Sequence, residues 1–481
     1  MRRGVVAGLT AAVVVGVTGY AAADVAGLAP GILTYDGAPV AAPTPSDSPS
    51  ATPSWAPLPA AVAPSPTPTP SAPVPTTAGL TTVLAPLVKD PWFGPSVGVT
   101  VRDGLTGEEL YAVSADTPRA PASSTKVLSA FAVIRSLDLE SRMTTKVVEG
   151  AKPGEIVLVA GGDTMLGEGA SDPSSVAGHA GLGTLADEVA ASLREQGVTS
   201  VTLRTDATYA AGPRFPAKWK QIDADEGFTQ GVAMLGRAIQ RPKYGTPSVA
   251  VAEDSVSGAL AKLLTAKGIA TKAVPLGPTD HGTPAPEGAR ELGAVESATY
   301  REVLDVALNV SDDALTENLV RQAMAAKGQS PAKLTAVPAF VKATLTEAGV
   351  DTAGMATLDA SGLAYGQVVS ATTLGDVLAL ASSGKEPDLR DAIAGLPVAG
   401  LTGTLAKRYQ SKTTKAAAGI PRAKTGTLTG ISSLAGSTVT KDGRLLTFVV
   451  LADRVPESSG TLGARAALDR FVTALTQCGC R

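Results

Sequence analysis

Pro121-Ala122-Ser123-Ser124-Thr125-Lys126, read together with Lys424-Thr425-Gly426-Thr427 far downstream, decides the fold. Pro121 stands just ahead of a run in which Val127, Leu128, Phe131 and Ile134 recur at helical spacing, which predicts a helix with Ser123 in its first turn. On one helical face the Ser123 hydroxyl and the Lys126 amine lie within reach, so the amine can take the hydroxyl proton. Alone the pattern is weak. Ser330-Pro331-Ala332-Lys333 repeats it, and a capping serine beside a solvated lysine would account for a single match. Lys424-Thr425-Gly426-Thr427 holds the only KTG of the chain. A cation, hydroxyls and a small residue on a strand edge can hold a carboxylate and leave room for its backbone.

Working outward, Ser96 to Val101 alternates with strand period, Asp103-Gly104 turns, and Glu109 to Val113 returns, which predicts a β-hairpin. Near the other end Ser432 to Thr440 and Leu445 to Leu451 flank Lys441-Asp442-Gly443-Arg444, a second hairpin. Thr461 to Thr476 then places Leu462, Ala466, Leu468, Phe471, Val472 and Leu475 on one helical face. Strands near both termini beside helices predict one α/β (α+β) domain built from both ends of the chain. Between them, Glu155 to Ala160 ending in Gly161-Gly162-Asp163, Val198 to Leu203, and Ser248 to Val251 read as strands. Ala259 to Leu264 reads as helix, stopped by Gly268. The division expected is 78–142 and 291–481 for the domain built from both ends, with 143–290 as an inserted α+β domain.

The 481 residues, 44% hydrophobic and 18% charged, suffice for two or three domains with real cores. Forty-one Lys and Arg against 44 Asp and Glu leave a net charge of -3, with no cationic excess to hold a polyanion, so no nucleic-acid partner is expected. The only histidines, His179 and His281, sit in Gly- and Pro-rich surroundings and read as surface loops. With cysteine only at Cys478 and Cys480, a structural zinc site or an HExxH protease is not expected. Any catalytic base must then be a lysine or a carboxylate. Cys478-Gly479-Cys480 would close a strained ring if paired, so the expectation is a flexible tail.

Met1-Arg2-Arg3 ahead of an uncharged stretch to Ala23 marks residues 1–23 as an export segment, either a cleaved signal peptide or an N-terminal membrane anchor. Residues 24–77 form a Pro/Ser/Thr-rich linker. At about 3.1 Å per residue, roughly forty such residues extend on the order of 100 Å. That reach would hold a domain away from a membrane; a proline-rich ligand is the alternative reading.

Order and context together resemble a family: class C low-molecular-mass penicillin-binding proteins, the D-alanyl-D-alanine carboxypeptidase/endopeptidases of serine peptidase family S13. Pro121 to Lys126 looks like its first motif, Ser311-Asp312-Asp313 like its second and Lys424 to Thr427 like its third. About 190 residues separate the first from the second, and an insertion at this point marks class C. Gly161-Gly162-Asp163, Asp359 to Leu363 and Leu396 to Leu405 are further similar segments, taken as structural.

The resemblance implies a penicillin-binding transpeptidase/β-lactamase-like domain, an antiparallel sheet flanked by helices, and an acyl-enzyme route without metal or organic cofactor. Ser123 would be the nucleophile, Lys126 its base and Ser311 the proton donor to the departing D-alanine. Lys424, Thr425, Gly426 and Thr427 would bind substrate, and the backbone N–H groups of Ser123 and Thr427 would hold the oxyanion. Peptidoglycan stem peptides would be the substrate, β-lactam antibiotics the inhibitors, and the place of action extracytoplasmic, at the cell surface or wall.

One position departs from the family pattern. Ser-x-Asn is usual in the second motif, and here Asp313 stands in place of asparagine. An ionised aspartate only accepts hydrogen bonds, and about 4 Å from Lys126 it would stabilise the ammonium by as much as roughly 4 kcal/mol at an effective dielectric near 20. Three outcomes are open: Asp313 is protonated by burial, it turns to another partner, or activity needs higher pH. The functional readings are accordingly a DD-peptidase, a penicillin-binding wall protein weakened by Asp313, and a β-lactamase or esterase on the same scaffold.

Overall fold

Alternation along Leu445 to Ala452 sends Phe448, Val450 and Ala452 into one apolar cluster and Val449 and Leu451 into another, so this strand is covered on both faces. A computed structural model describes residues 68–480; the expected export segment and most of the expected linker lie outside the described residues. In chain order these form α1 (Thr77–Val88), β1 (Val97–Asp103), β2 (Glu109–Val113), α2 (Lys126–Ile134), β3 (Arg142–Glu149), β4 (Glu155–Val159), α3 (Leu182–Glu195), β5 (Ser200–Asp206), α4 (Ala252–Ala266), β6 (Ala270–Ala273), β7 (Glu291–Thr299), α5 (Tyr300–Val310), α6 (Asp313–Ala326), α7 (Ala336–Glu347), α8 (Ala371–Ser382), α9 (Pro387–Ala394), β8 (Arg422–Leu428), β9 (Ile431–Val439), β10 (Leu445–Ala452) and α10 (Gly460–Thr476), besides shorter turns of helix.

The first sheet has the order β2-β1-β10-β9-β8 and is antiparallel throughout. Both predicted hairpins therefore meet in one sheet, with Val97 opposite Ala452 and Asp103 opposite Leu446. Leu80 and Leu84 of α1 and Phe471, Val472 and Leu475 of α10 fill one face. Helices α2 and α8 lie under the other. Edge strand β8 carries Lys424 to Thr427.

The second sheet, β6-β5-β4-β3-β7, is mixed: β4, β5 and β6 run parallel, while β3 is antiparallel to both β4 and β7. All five of its strands come from the stretch between the first two motifs, and α3 and α4 pack on it around a separate core. The fifth, β7, begins at Glu291, just past the expected boundary at 290, because it pairs along β3 from Val148↔Glu291 to Arg142↔Thr299.

Several expectations need correction. Ser248 to Val251 forms no strand; Pro247 precedes it, and Ser248, Val249 and Ala250 line a cleft instead. Leu462 is 44% exposed, since the buried face of α10 runs through Ala464, Ala467 and Leu468. Ordered packing reaches into the expected linker, where Ala72 is buried and Arg444 Nη1 donates to Pro70 O at 2.9 Å. The Cys478 to Cys480 tail is not free: both cysteines are buried and joined as a disulfide. Thr76 N donates to Cys480 O at 2.7 Å, so the end of the chain is clamped against the start of α1.

Candidate active site

Ser123 lies in a 3-10 turn, Ala122–Thr125, that runs directly into α2. Ala122 has φ +46°, a conformation costly for a residue with a side chain. Close packing holds it there. A Cβ on Gly362 would fall 2.0 Å from Ala122 O, so only glycine admits the 359–363 loop against this turn. From the β8 side, a Cβ on Gly426 would meet Ser433 Oγ at 2.2 Å, Pro121 O at 2.5 Å and Ser123 N at 3.1 Å. Ser433 Oγ donates to Pro121 O at 2.6 Å and bonds Ser124 Oγ at 2.8 Å, tying the turn to β9.

Lys126 is fully buried and its Nζ has three partners: Ser123 Oγ at 2.9 Å, Asp313 Oδ1 at 2.5 Å and Ser361 O at 2.8 Å. Three acceptors suit the three donors of an ammonium. Asp313 is the first residue of α6, and burial pushes its carboxyl up from the ordinary value while Lys126 draws it down. Of the three outcomes open for Asp313, turning to another partner is overturned, because it forms a buried ion pair with the expected base.

Ser311 joins α5 to α6 in the left-handed region, φ +63°, and its half-buried hydroxyl accepts from Lys424 Nζ at 2.8 Å. Lys424 is also fully buried and donates to Thr425 O at 2.9 Å. Burial holds it well below the ordinary lysine value, and neighbouring Lys126 adds to the effect. Two serine–lysine pairs thus lie side by side. Thr425 Oγ1 donates to Thr404 Oγ1 at 2.8 Å, and Thr427 Oγ1 accepts from Arg465 at 3.4 Å. The second SxxK, Ser330 to Lys333, is a turn between α6 and α7.

Residues to which motif reading gave no catalytic role complete the frame. Glu317, one helical turn after Asp313, accepts from the backbone N–H of Ala360 at 2.5 Å and of Ser361 at 3.2 Å, placing the carbonyl that Lys126 uses. Burial pushes Glu317 up to about 8. Asp359 Oδ1 and Oδ2 accept from Gly362 N and Ala364 N, each at 2.7 Å. Asp312 caps α6 through Leu315 N and pairs with Arg241 from the inserted stretch. An acid four residues after Asp313 on a helix was a signal open to sequence reading; Arg241 and Arg465 had none, since tertiary packing alone brings them here.

The model of the D-Ala-D-Ala carboxypeptidase 3 (S13) family matches residues 80–236 and 240–475. A carboxypeptidase of Mycobacterium tuberculosis is 34% identical over 415 residues, covering 85% of this chain and 86% of that protein. Carboxypeptidase DacB of Mycolicibacterium smegmatis is likewise 34% identical over 415 residues, with the same shares covered. Among solved structures, penicillin binding protein 4 (DacB) from Haemophilus influenzae has the same fold at a TM-score of 0.65 and 17% identity, over 84% of this chain and 99% of that one.

Proposed function

From a chain that belongs to the D-Ala-D-Ala carboxypeptidase 3 (S13) family, we propose a serine DD-peptidase that cleaves the D-Ala-D-Ala bond of peptidoglycan stem peptides through an acyl-enzyme. One observation carries it: Ser123, Lys126, Ser311, Asp313 and Lys424, from three distant segments, form two neighbouring hydrogen-bonded sets, Ser123–Lys126–Asp313 and Ser311–Lys424, in which Ser123 and Ser311 remain partly open to solvent. The inserted stretch is a domain of the same molecule, and the site works outside the cytoplasm.

Lys126 must lose a proton before it can act as base, and Asp313, raised by burial and 2.5 Å away, is the group that takes it. The neutral amine then accepts the Ser123 hydroxyl proton as Oγ attacks the carbonyl carbon. The Ser123 and Thr427 N–H groups hold the oxyanion, each donor contributing about 3 to 4 kcal/mol. The C–N bond breaks as Ser311 passes its proton to the leaving amine, and Lys424, bonded to that hydroxyl, restores it. Water hydrolyses the ester. β-Lactams mimic the dipeptide and acylate Ser123.

The test is intact-mass analysis of the full chain with benzylpenicillin, with Ser123→Ala as control. A lasting single adduct on Ser123, absent from the control, is expected. No adduct at neutral or alkaline pH sinks the reading, and rapid hydrolysis without an adduct points to a β-lactamase. The short Lys126–Asp313 pair favours one second reading, a weakened penicillin-binding protein. A gain in turnover above about 100-fold on Asp313→Asn at neutral pH would select it, since that gain is about 2.7 kcal/mol of barrier.

A further inference from the structure

Between β5 and α4 the chain runs from Ala207 to Val251 without joining either sheet, held by turns and short helical segments. It is about a tenth of the described residues, yet it carries six of their thirteen exposed large apolar side chains: Tyr209, Ile222, Phe228, Ile239, Tyr244 and Val249. Such clustering marks a surface that meets something. Phe228 and Tyr244, 53% and 75% exposed, hold their ring centroids 5.1 Å apart. Gly245 N donates to Glu226 O at 2.9 Å and Ser248 N to Ala224 O at 3.0 Å, which ties this aromatic pair to the rim of a cleft. The cleft, about 900 Å³, is lined by Phe215, Gln221, Asp225, Ser248, Thr279 and His281 among others.

The cleft offers polar groups but no free buried cation. Arg214 in its wall is spent, with Nη1 on both Glu253 oxygens at 2.8 and 2.7 Å and with Nε and Nη2 on the carbonyls of Pro278 and Asp280. Burial and nearby Arg214 lower His281 below its ordinary value, so its ring is neutral at pH 7. Aromatic faces beside amide, hydroxyl and imidazole groups suit uncharged sugar rings. Pyranose C–H faces pack on aromatics, and the hydroxyl and acetamido groups exchange hydrogen bonds. The cleft also leads back to the reacting serines. Lys220, next to Gln221, lies over the Tyr365 ring at 4.4 Å, and Tyr365 Oη accepts from Thr429 N at 3.3 Å, two residues past Thr427. Trp219 Nε1 donates at 2.8 Å to Asp359 Oδ2, in the loop packed on the Ser123 turn. A stem peptide is attached to a strand of N-acetylated sugars and spans at most about 3.3 to 3.6 Å per residue, so that strand must lie on a surface beside the site.

We infer that this cleft and the Phe228–Tyr244 pair bind the glycan strand that carries the stem peptide. The inference rests on the peptidase reading above and adds to it a polymer-binding site on the inserted stretch.

The test compares a free pentapeptide ending in D-Ala-D-Ala with the same pentapeptide attached to a tetrasaccharide of alternating N-acetylglucosamine and N-acetylmuramic acid. Replacing both aromatics, Phe228→Ala with Tyr244→Ala, is expected to lower kcat/KM about 10-fold on the glycan-attached peptide, mainly through KM, and to leave the free peptide unchanged. Phe228→Tyr with Tyr244→Trp keeps both rings and keeps the preference. Equal losses on the two substrates, as a merely structural pair would give, overturn the inference, and so does an unchanged preference. A dimer that the alanine variant dissociates while the glycan preference stays intact assigns the patch to a second copy and also overturns it. Equilibrium binding of the glycan-attached peptide to Ser123→Ala, with and without the two alanines, judges the site apart from turnover. A wild type that turns over neither substrate overturns the peptidase reading; glycan binding that the alanines abolish then still supports the site, and binding that they leave unchanged overturns it.

Discussion

Lys126 and Asp313 pose the sharpest question at the scale of single residues. A carboxylate 2.5 Å from the base favours the ammonium, while burial of the same carboxylate favours its neutral form. The two share protons, and the pair rather than either member sets the acid limb of activity. Asp313→Asn removes the group that takes the Lys126 proton, so that proton must leave to solvent before Ser123 can attack. The acid limb of kcat/KM is expected to move to higher pH, and a move to lower pH would instead favour the weakened-protein reading. An acid limb that stays in place would show that Asp313 does not control the base. Asp313 was legible in the sequence as a departure from Ser-x-Asn, and the resemblance set it near Lys126; that it pairs directly with Lys126 rather than turning away comes only from the packing of two elements.

At the scale of elements, the site is a contact between β8 and the turn that opens α2, and Gly426 sets how close they come. Replacing it with alanine drives a Cβ against the Pro121 carbonyl, which cannot swing aside as a side chain would. Gly426→Ala is expected to destabilise the protein by about 1 to 3 kcal/mol through overpacking. It should also slow Ser123 acylation by moving that residue from the strand. Thermal unfolding and the rate of benzylpenicillin adduct formation measure the two; a variant equal to wild type in both would refute the close approach. The hairpins around this contact were readable because alternation and Asp-Gly turns are local. β7 was not: Glu291-Leu292-Gly293-Ala294-Val295 carries too few large apolar residues for its period to stand out, and its burial comes from β3 and α3. The docking of Pro70 on Arg444 was invisible for the same reason, since composition reports nothing of a partner 374 residues away.

Over the whole molecule, buried polar groups on α6 join the stretch between the first two motifs to the helix whose Asp313 meets Lys126. Asp312 pairs with Arg241, and Asn318 Nδ2 donates to Gly162 O at 3.0 Å and Ala233 O at 2.8 Å. Burial also raises three carboxyls here and nearby: Asp163 from 3.8 to about 7, Asp305 from 3.8 to about 7 and Glu317 from 4.5 to about 8. In each, the folded state holds a proton that the unfolded chain surrenders at a lower pH. The stability these groups confer is complete below the unfolded values and is lost as pH rises through the folded ones. Unfolding temperature is therefore expected to fall between pH 5 and pH 8. For fully buried Glu317 the slope approaches roughly 1.4 kcal/mol per pH unit while it titrates. Glu317→Gln keeps a carbonyl for the Ala360 and Ser361 N–H groups and cannot ionise. Its melting temperature should match wild type at pH 5 and exceed it at pH 8. A variant whose melting temperature falls with pH as steeply as wild type would mean that Glu317 is already ionised in the folded protein, its charge answered by Arg321, the one cation that opposes its raised value.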